Sequence, residues 1–176
     1  EKAYQITLFE EGQSRVELDF DNGFCFSESM YDNQVFYEGR FKFSKHFLGA
    51  NKVPQIDGGE KGEEFACAKV IDNLPQVKYW LRNVARHPFS FWLPTSTDKF
   101  YPDFVVMLQD GRLLIVEYKG EQFAESRDTK EKMLIGEFWE RKMQGKGLFM
   151  IAEKTKGGLN IREQIVGLVR YHGLPL

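Results

Sequence analysis

Two apolar runs on either side of Asp110-Gly111 constrain the fold of this chain more than any other feature of its sequence. Residues 100–108 precede this dipeptide and residues 112–118 follow it, and both runs are rich in branched and aromatic side chains. Asp-Gly between two such runs favours a tight hairpin turn, because glycine readily adopts the positive φ that the turn requires. The pattern therefore predicts an antiparallel hairpin.

Further helices and strands are predicted around this hairpin from the spacing of apolar residues. Pro75 is expected to end the helix that precedes it, because proline lacks an amide hydrogen. The element order predicts an α+β fold with a mixed central sheet, in which an antiparallel meander is flanked by helices. The predicted elements are helices over residues 63–74, 77–84, 126–143 and 161–171 and strands over residues 89–93 and 148–152.

The N-terminal part of the chain has a different pattern. Short alternations of apolar and polar residues predict strands over residues 4–9, 15–18 and 34–37. Pro54 and Gly58-Gly59 then indicate a boundary, because both residue types interrupt regular elements. The predicted domains are a β-rich N-terminal segment or linker subdomain over residues 1–55 and a second domain over residues 56–176.

Length and composition limit the class of protein. The 176 residues suffice for one domain with a buried core. No apolar run approaches the roughly 20 residues of a transmembrane helix, so we expect a soluble protein without membrane contact. Cys25 and Cys67 lack the spacing of a metal knuckle or disulfide framework and are expected to be buried free thiols. Such thiols are those expected in a reducing cytoplasm, which predicts a cytoplasmic location. A net charge of −2 does not by itself indicate a nucleic-acid binder.

The open end of the predicted hairpin brings acidic residues next to a lysine. Asp103 and Glu117 lie at similar distances from the turn, so antiparallel pairing places them opposite each other. Glu117 and Lys119 share one face of the strand, because side chains alternate across it. An isolated Glu-x-Lys is more often a salt bridge at a sheet edge. Here the preceding Pro102-Asp103 and the apolar strands favour an active site.

Such a cluster suits the hydrolysis of a phosphodiester. Carboxylate oxygens are ligands of Mg²⁺, which stabilises charge on a phosphate and lowers the pKa of bound water. Lys119 would polarise the attacking water or stabilise charge on the phosphate. The backbone carbonyl of Tyr118 is a further candidate oxygen ligand.

Four segments extend this pattern beyond the hairpin, at residues 77–83, 91–95, 99–104 and 116–120. Together with the element order, they resemble the PD-(D/E)xK nuclease superfamily over about residues 60–152. More narrowly, they resemble the C-terminal endonuclease domain of the restriction subunit of type III restriction enzymes and related helicase-nucleases. The resemblance implies a restriction-endonuclease-like core and DNA as the substrate.

The resemblance also implies roles for individual residues. It implies Mg²⁺ as the cofactor, with Mn²⁺ as a substitute, and a 5′-phosphate on the product. The first core helix of the superfamily often supplies an acid, and the resemblance favours Glu64. Helical periodicity alone favours Glu63, so the choice between the two stays open. The implied catalytic residues are Asp103, Glu117, Lys119 and Glu64, and the implied metal ligands are Asp103, Glu117, Glu64 and the Tyr118 carbonyl.

The helix after the hairpin carries two lysines of interest. The resemblance makes Lys132 the candidate for a residue that supports the site, and Lys130 or Lys132 is a candidate phosphate contact. Acidic residues are interleaved with these lysines, and such mixing is also typical of a solvated helix face. Both interpretations stay open.

The resemblance further implies partners outside this sequence. The sequence has no Gly-x-x-x-x-Gly-Lys-Ser/Thr phosphate loop, so a helicase motor is expected elsewhere in the same parent chain. A methyltransferase subunit is the second implied partner, and dimerisation is expected for double-strand cutting. The chain begins at Glu1, and we expect it to be a piece of a longer polypeptide. The alternative function is a catalytically inert DNA-binding or subunit-docking module of the same fold.

Overall fold

The structure is a computed structural model that describes residues 26–120 and 126–171 and, before them, the backbone of residues 4–8 and 14–18. No helix in these ranges is long and apolar enough to cross a membrane. The α-helices are α1 (Glu63–Asn73), α2 (Arg127–Lys142) and α3 (Ile161–Tyr171). The strands are β1 (Tyr4–Leu8), β2 (Ser14–Leu18), β3 (Val77–Arg82), β4 (Leu93–Pro94), β5 (Lys99–Phe100), β6 (Phe104–Leu108), β7 (Leu113–Tyr118), β8 (Gly147–Ala152), β9 (Thr155–Lys156) and β10 (Leu159–Asn160).

A four-stranded sheet in the order β3-β6-β7-β8 forms the centre of the fold. The first three strands make an antiparallel meander, and β8 runs parallel to β7. This mixed sheet and the three helices confirm the α+β class that the sequence predicts.

The hairpin predicted around Asp110-Gly111 is confirmed as β6 and β7. Gly111 has a φ of 87°, a value that residues other than glycine rarely adopt. The register pairs Phe104 with Val116, so the residues just beyond them, Asp103 and Glu117, meet at the open end. The first strand is shorter than predicted, because residues 101–103 interrupt it between β5 and β6.

Residues 77–84 do not form the predicted helix. Residues 77–82 form β3, which pairs with β6 and supplies the first strand of the meander. Short apolar segments fit both helical and strand periods, and the aromatic and β-branched residues here suit a strand. Pairing with β6 therefore selects the strand conformation for residues 77–82.

The strand predicted over residues 89–93 is also wrong except for its last residue, which belongs to β4. The buried side chain of Asn83 explains the difference. Its Nδ2 donates hydrogen bonds to the carbonyls of Phe91 (2.9 Å) and Pro102 (2.8 Å), and its Oδ1 accepts one from the Phe91 N–H (3.1 Å). The backbone of this loop is thus partly satisfied by a side chain rather than by a strand partner.

The side chains of the sheet divide between two layers. Alternate residues of β6, β7 and β8 pack with α1 and α3 in one core, which includes Phe65, Trp80 and Ile165. The intervening residues, such as Ile115 and Phe149, pack with Trp139 of α2 on the other face. Cys67 of α1 is a buried free thiol, as predicted. Cys25 lies outside the described residues.

The segment before α1 contributes to the same core. Phe43 and Val53 are buried in one cluster with Phe65 of α1. The strands predicted over residues 4–9 and 15–18 are confirmed as an antiparallel pair, whereas residues 34–37 contain only an isolated bridge from Phe36 to Pro54. Two hydrogen bonds flank this bridge, from the Tyr37 N–H to the Val53 carbonyl and from the Gln55 N–H to the Val35 carbonyl, and the described pairing is limited to them. The boundary at residues 55 and 56 stays a prediction.

A buried carboxylate ties this segment to the rest of the fold. The side chain of Asp72 accepts hydrogen bonds from the backbone N–H groups of Ser44 and Lys45 and from the indole N–H of Trp80 (2.8 Å). α1, β3 and the preceding segment therefore meet at one residue.

Two helical glycines should respond to alanine with opposite signs. A Cβ added at the buried Gly136 of α2 would overlap the ring of Phe149, whereas one at the exposed Gly167 of α3 meets nothing. We expect Gly136→Ala to lower the free energy of unfolding by about 1–3 kcal/mol through overpacking. Gly167→Ala should raise it by about 0.5–1 kcal/mol through helix propensity. Urea unfolding measures both, and stabilisation by Gly136→Ala would contradict the packing of α2 on β8.

Candidate active site

The backbone fixes Asp103 at the open end of the hairpin. Its Oδ2 accepts a hydrogen bond from the backbone N–H of Tyr118 at 2.7 Å. Its own carbonyl accepts one from the N–H of Asn83 at 2.8 Å. Hydrogen bonds from β7 and from the residue after β3 therefore hold Asp103 in place. Its other carboxylate oxygen, Oδ1, faces the guanidinium of Arg82.

Glu117 forms the second part of the site. Ile115 packs towards α2, so Glu117, two residues further along β7, faces the same way. Its buried carboxylate lies 3.1 Å from Nζ of Lys119 and 3.5 Å from Nζ of Lys132. The structure thus brings Lys119 and Lys132 to Glu117, whereas Lys130 is exposed on α2.

The two acidic candidates at the start of α1 point to different partners. Oε1 of Glu64 lies 2.6 Å from Nη2 of Arg82, and the side chain is 20% exposed. Oε2 of Glu63 instead accepts a hydrogen bond from the hydroxyl of Tyr118 at 2.9 Å. Consecutive residues of a helix are about 100° apart, which explains the different directions. The structure therefore places Glu64, and not Glu63, towards Asp103.

Arg82 belongs to the site, although no sequence pattern predicts it there. Its Nη2 reaches Glu64, its Nη1 lies 3.4 Å from Oδ1 of Asp103, and the side chain is 19% exposed. The sequence signal for Arg82 is its position near the end of residues 77–83, one of the four segments that carry the resemblance. The incorrect prediction of a helix over residues 77–84 gives no indication that its side chain points to the site. No sequence pattern predicts Asp128 there either, although its Oδ2 lies 2.9 Å from Nζ of Lys132 and 3.9 Å from Nζ of Lys119.

The pKa values of two carboxyl groups are shifted at this site. Burial, and then the negative charge of Asp103, raise the pKa of Glu64 to about 7, against the opposing charge of Arg82. Burial and Asp103 likewise raise the pKa of Glu117 to about 7, against the opposing charges of Lys119 and Lys132. Carboxyl groups with raised pKa values in one cluster are typical of functional sites.

These shifts predict how stability depends on pH without divalent cations. A carboxyl group whose pKa rises from 4.5 to about 7 on folding stabilises the protein below pH 4.5. That contribution is lost as pH rises to about 7. We expect the variant Glu117→Gln to lose less stability than the native chain between pH 5 and pH 7.5 in urea unfolding. An equal loss in both would contradict the raised pKa of Glu117.

The residues present can be tested against a hard divalent cation. Glu64, Asp103 and Glu117 supply oxygen donors, as Mg²⁺ prefers. Oε1 of Glu64 is buried and, although paired with Arg82, has no aligned hydrogen bond, which a cation would satisfy. In the described ranges, no three His, Cys, Asp or Glu residues are arranged to hold a metal ion. The donor chemistry therefore fits, but a complete ligand set requires side-chain movement. The Tyr118 carbonyl stays a prediction.

A comparison of the chain with models of protein families, with curated proteins and with solved structures finds no match.

Proposed function

We propose that this chain is a metal-dependent endonuclease domain that hydrolyses DNA phosphodiester bonds. The observation that carries the proposal is the meeting of Asp103, Glu117 and Lys119 at the open end of the central hairpin. We further propose that the fold is a restriction-endonuclease-like core, within a type III restriction enzyme or related helicase-nuclease. The order of α1, the meander β3-β6-β7, α2 and the parallel strand β8 supports that assignment.

The roles of the acidic residues follow from their positions. Asp103 and Glu117 would hold Mg²⁺, or Mn²⁺ in its place, and Glu64 would assist. The bound ion would supply charge stabilisation on the phosphate and a lower pKa for water. The burial of Glu117 keeps competing water away from its carboxylate.

Lys119 is positioned to act on the reacting groups. Its Nζ is adjacent to the Glu117 carboxylate, so its positive charge would lie next to a phosphate bound beside that carboxylate. There it would orient the attacking water and neutralise charge that develops on the phosphate oxygens. The oxygen of water forms a bond to phosphorus, and the bond from phosphorus to the 3′-oxygen breaks. The attacking water loses one proton and the 3′-oxygen gains one, which leaves a 3′-hydroxyl and a 5′-phosphate.

Basic residues around the carboxylates favour the approach of DNA despite the net charge of the chain. Lys119, Lys132 and Arg82 all lie within ion-pair distance of site carboxylates. Such cations reduce the repulsion between an acidic site and a phosphate backbone. The exposed Lys130 on α2 would add a phosphate contact beside them. A helicase motor and a methyltransferase subunit would target the domain, and two copies would cut both strands.

The experiment that tests this function combines cleavage with analysis of the ends. Supercoiled plasmid is incubated with a high concentration of the chain in Mg²⁺, Mn²⁺ or EDTA. We expect nicks only with the metals, and DNA ligase should reseal them, because it joins a 5′-phosphate to a 3′-hydroxyl. Nicks that ligase cannot reseal would contradict the proposed chemistry. DNA binding without cleavage in either metal would favour the inert module.

A further inference from the structure

The side chain of Arg82 contacts two of the three carboxylates of the site. It extends from the end of β3, and its guanidinium packs over the ring of Phe104 with 5.4 Å between Cζ and the ring centroid. Nη2 lies 2.6 Å from Glu64, and Nη1 lies 3.4 Å from Asp103. A largely buried positive charge therefore connects a carboxylate of α1 with the carboxylate of the residue directly before β6.

The two terminal nitrogens of Arg82 are held in different ways. Nη1 donates hydrogen bonds to the backbone carbonyls of Asp103 and Asn83, each at 2.9 Å. These carbonyls are fixed by the sheet and the adjoining loop. Nη2 contacts the side chain of Glu64, where Oε1 has no aligned hydrogen bond. The contact with Glu64 can therefore break while the contacts of Nη1 stay in place.

We propose that Arg82 is an internal counter-cation of the carboxylate site, which neutralises Glu64 and Asp103 until a divalent cation displaces it from Glu64. The inference rests on the proposed function and adds a control over metal loading. A buried carboxylate without a counter-ion is costly, so Arg82 stabilises the metal-free site. The same charge repels an incoming cation. Arg82 therefore lowers the affinity of the site for metal.

Competition between the guanidinium of Arg82 and a divalent cation for the same carboxylates accounts for the arrangement of the site. Glu64, Asp103 and Glu117 have suitable donor atoms, yet the described residues do not form a three-residue metal group. Arg82 satisfies the first two carboxylates, and Lys119 and Lys132 satisfy the third. Withdrawal of Nη2 from Glu64 would free one carboxylate oxygen without disturbing the backbone that positions Asp103.

A charge series at position 82 tests this inference through Mn²⁺ binding, measured by titration calorimetry without DNA. Arg82→Met removes the charge and keeps an apolar stem over Phe104, and we expect it to bind Mn²⁺ at least about tenfold more tightly than the native chain. Arg82→Lys keeps the charge and should bind Mn²⁺ with nearly the native affinity. Neither variant has the guanidinium, so the difference between them reports the charge.

Arg112 provides a matched control at the other end of the hairpin. It pairs with Asp110 at 2.7 Å and donates a hydrogen bond to the Val169 carbonyl at 3.0 Å, much as Arg82 pairs with carboxylates and donates to carbonyls. Arg112→Met should leave Mn²⁺ affinity unchanged. Arg82→Gln, which keeps an amide donor, replaces Arg82→Met if the latter does not fold, and tighter binding is again expected.

Other outcomes would overturn the inference. Weaker Mn²⁺ binding by Arg82→Met would show that Arg82 organises the ligands instead of competing with the metal. Equal shifts in Arg82→Met and Arg82→Lys would show that hydrogen bonds, and not charge, matter. If the native chain and Arg82→Met bind Mn²⁺ with the same affinity, the inference about Arg82 is wrong, whereas the proposed function is unaffected. No Mn²⁺ binding by either chain would remove the proposed function as well.

Discussion

Lys119→Met is expected to lower the rate of plasmid nicking about a thousandfold while Mn²⁺ binding persists. Nζ of Lys119 lies 3.1 Å from Oε1 of Glu117, so the variant removes a positive charge beside the proposed metal ligands. That charge would be used mainly when negative charge develops on the phosphate. The loss should therefore appear in the single-turnover cleavage rate, and Mn²⁺ binding should not become weaker.

A second lysine provides the control for this variant. Lys146 is exposed just before β8, where its carbonyl accepts a hydrogen bond from Leu113 at the turn end of the hairpin. Lys146→Met removes the same charge away from the site and should nick at the native rate. Nicking by Lys119→Met at the rate of Lys146→Met would exclude Lys119 from the chemistry.

Asp103→Asn is expected to weaken Mn²⁺ binding at least about a hundredfold and to abolish nicking. Asparagine keeps an oxygen that can accept the hydrogen bond from the Tyr118 N–H, which is 2.7 Å long in the native chain. The variant therefore removes the negative charge and preserves the shape of the hairpin end. Titration calorimetry measures the binding, and urea unfolding checks that the variant is folded.

The matched control is Asp110→Asn at the turn of the same hairpin. Asp110 is half exposed and pairs with Arg112, far along the strands from Asp103. Its replacement should leave both Mn²⁺ binding and nicking unchanged. Metal binding by Asp103→Asn that equals binding by Asp110→Asn would show that the cation binds elsewhere.

The hairpin and its open end were predictable because local signals agree there. A tight Asp-Gly turn fixes the register, and a fixed register places Asp103 next to Glu117 and puts Lys119 on the same face as Glu117. α2 and α3 were predictable for a similar reason, since their apolar residues recur at helical spacing. β8 was predictable as a short, continuous apolar run, which is typical of a strand buried on both faces.

The remaining errors come from interactions distant in sequence. β3 is a strand because β6 lies beside it, and its own six residues do not decide between helix and strand. The loop containing Phe91 is shaped by hydrogen bonds from Asn83, which no periodicity reveals. Arg82 joins the site only because β3 ends where α1 begins to pack, so its role required the structure.

The pair of glutamates at the start of α1 shows the same limit. Periodicity favoured Glu63, because the apolar stripe of the helix lies nearer to it. The structure places Glu64 next to Arg82, while Glu63 contacts Tyr118 and Lys154. Glu64 lies at the edge of the apolar face that α1 packs against the sheet, rather than at the centre of that face. A helical wheel gives the centre of the apolar face but not which edge lies next to the site.

The most direct test of the central claim is the rate of plasmid nicking by the native chain over a range of Mg²⁺ concentrations, measured beside Mg²⁺ binding to the same preparation. If Asp103, Glu117 and Lys119 form a metal-dependent hydrolytic site, nicking should be absent in EDTA and should rise over the concentrations at which Mg²⁺ binds. Nicking that is equally fast in EDTA, or Mg²⁺ binding that saturates without any nicking at high protein concentration, would contradict the claim.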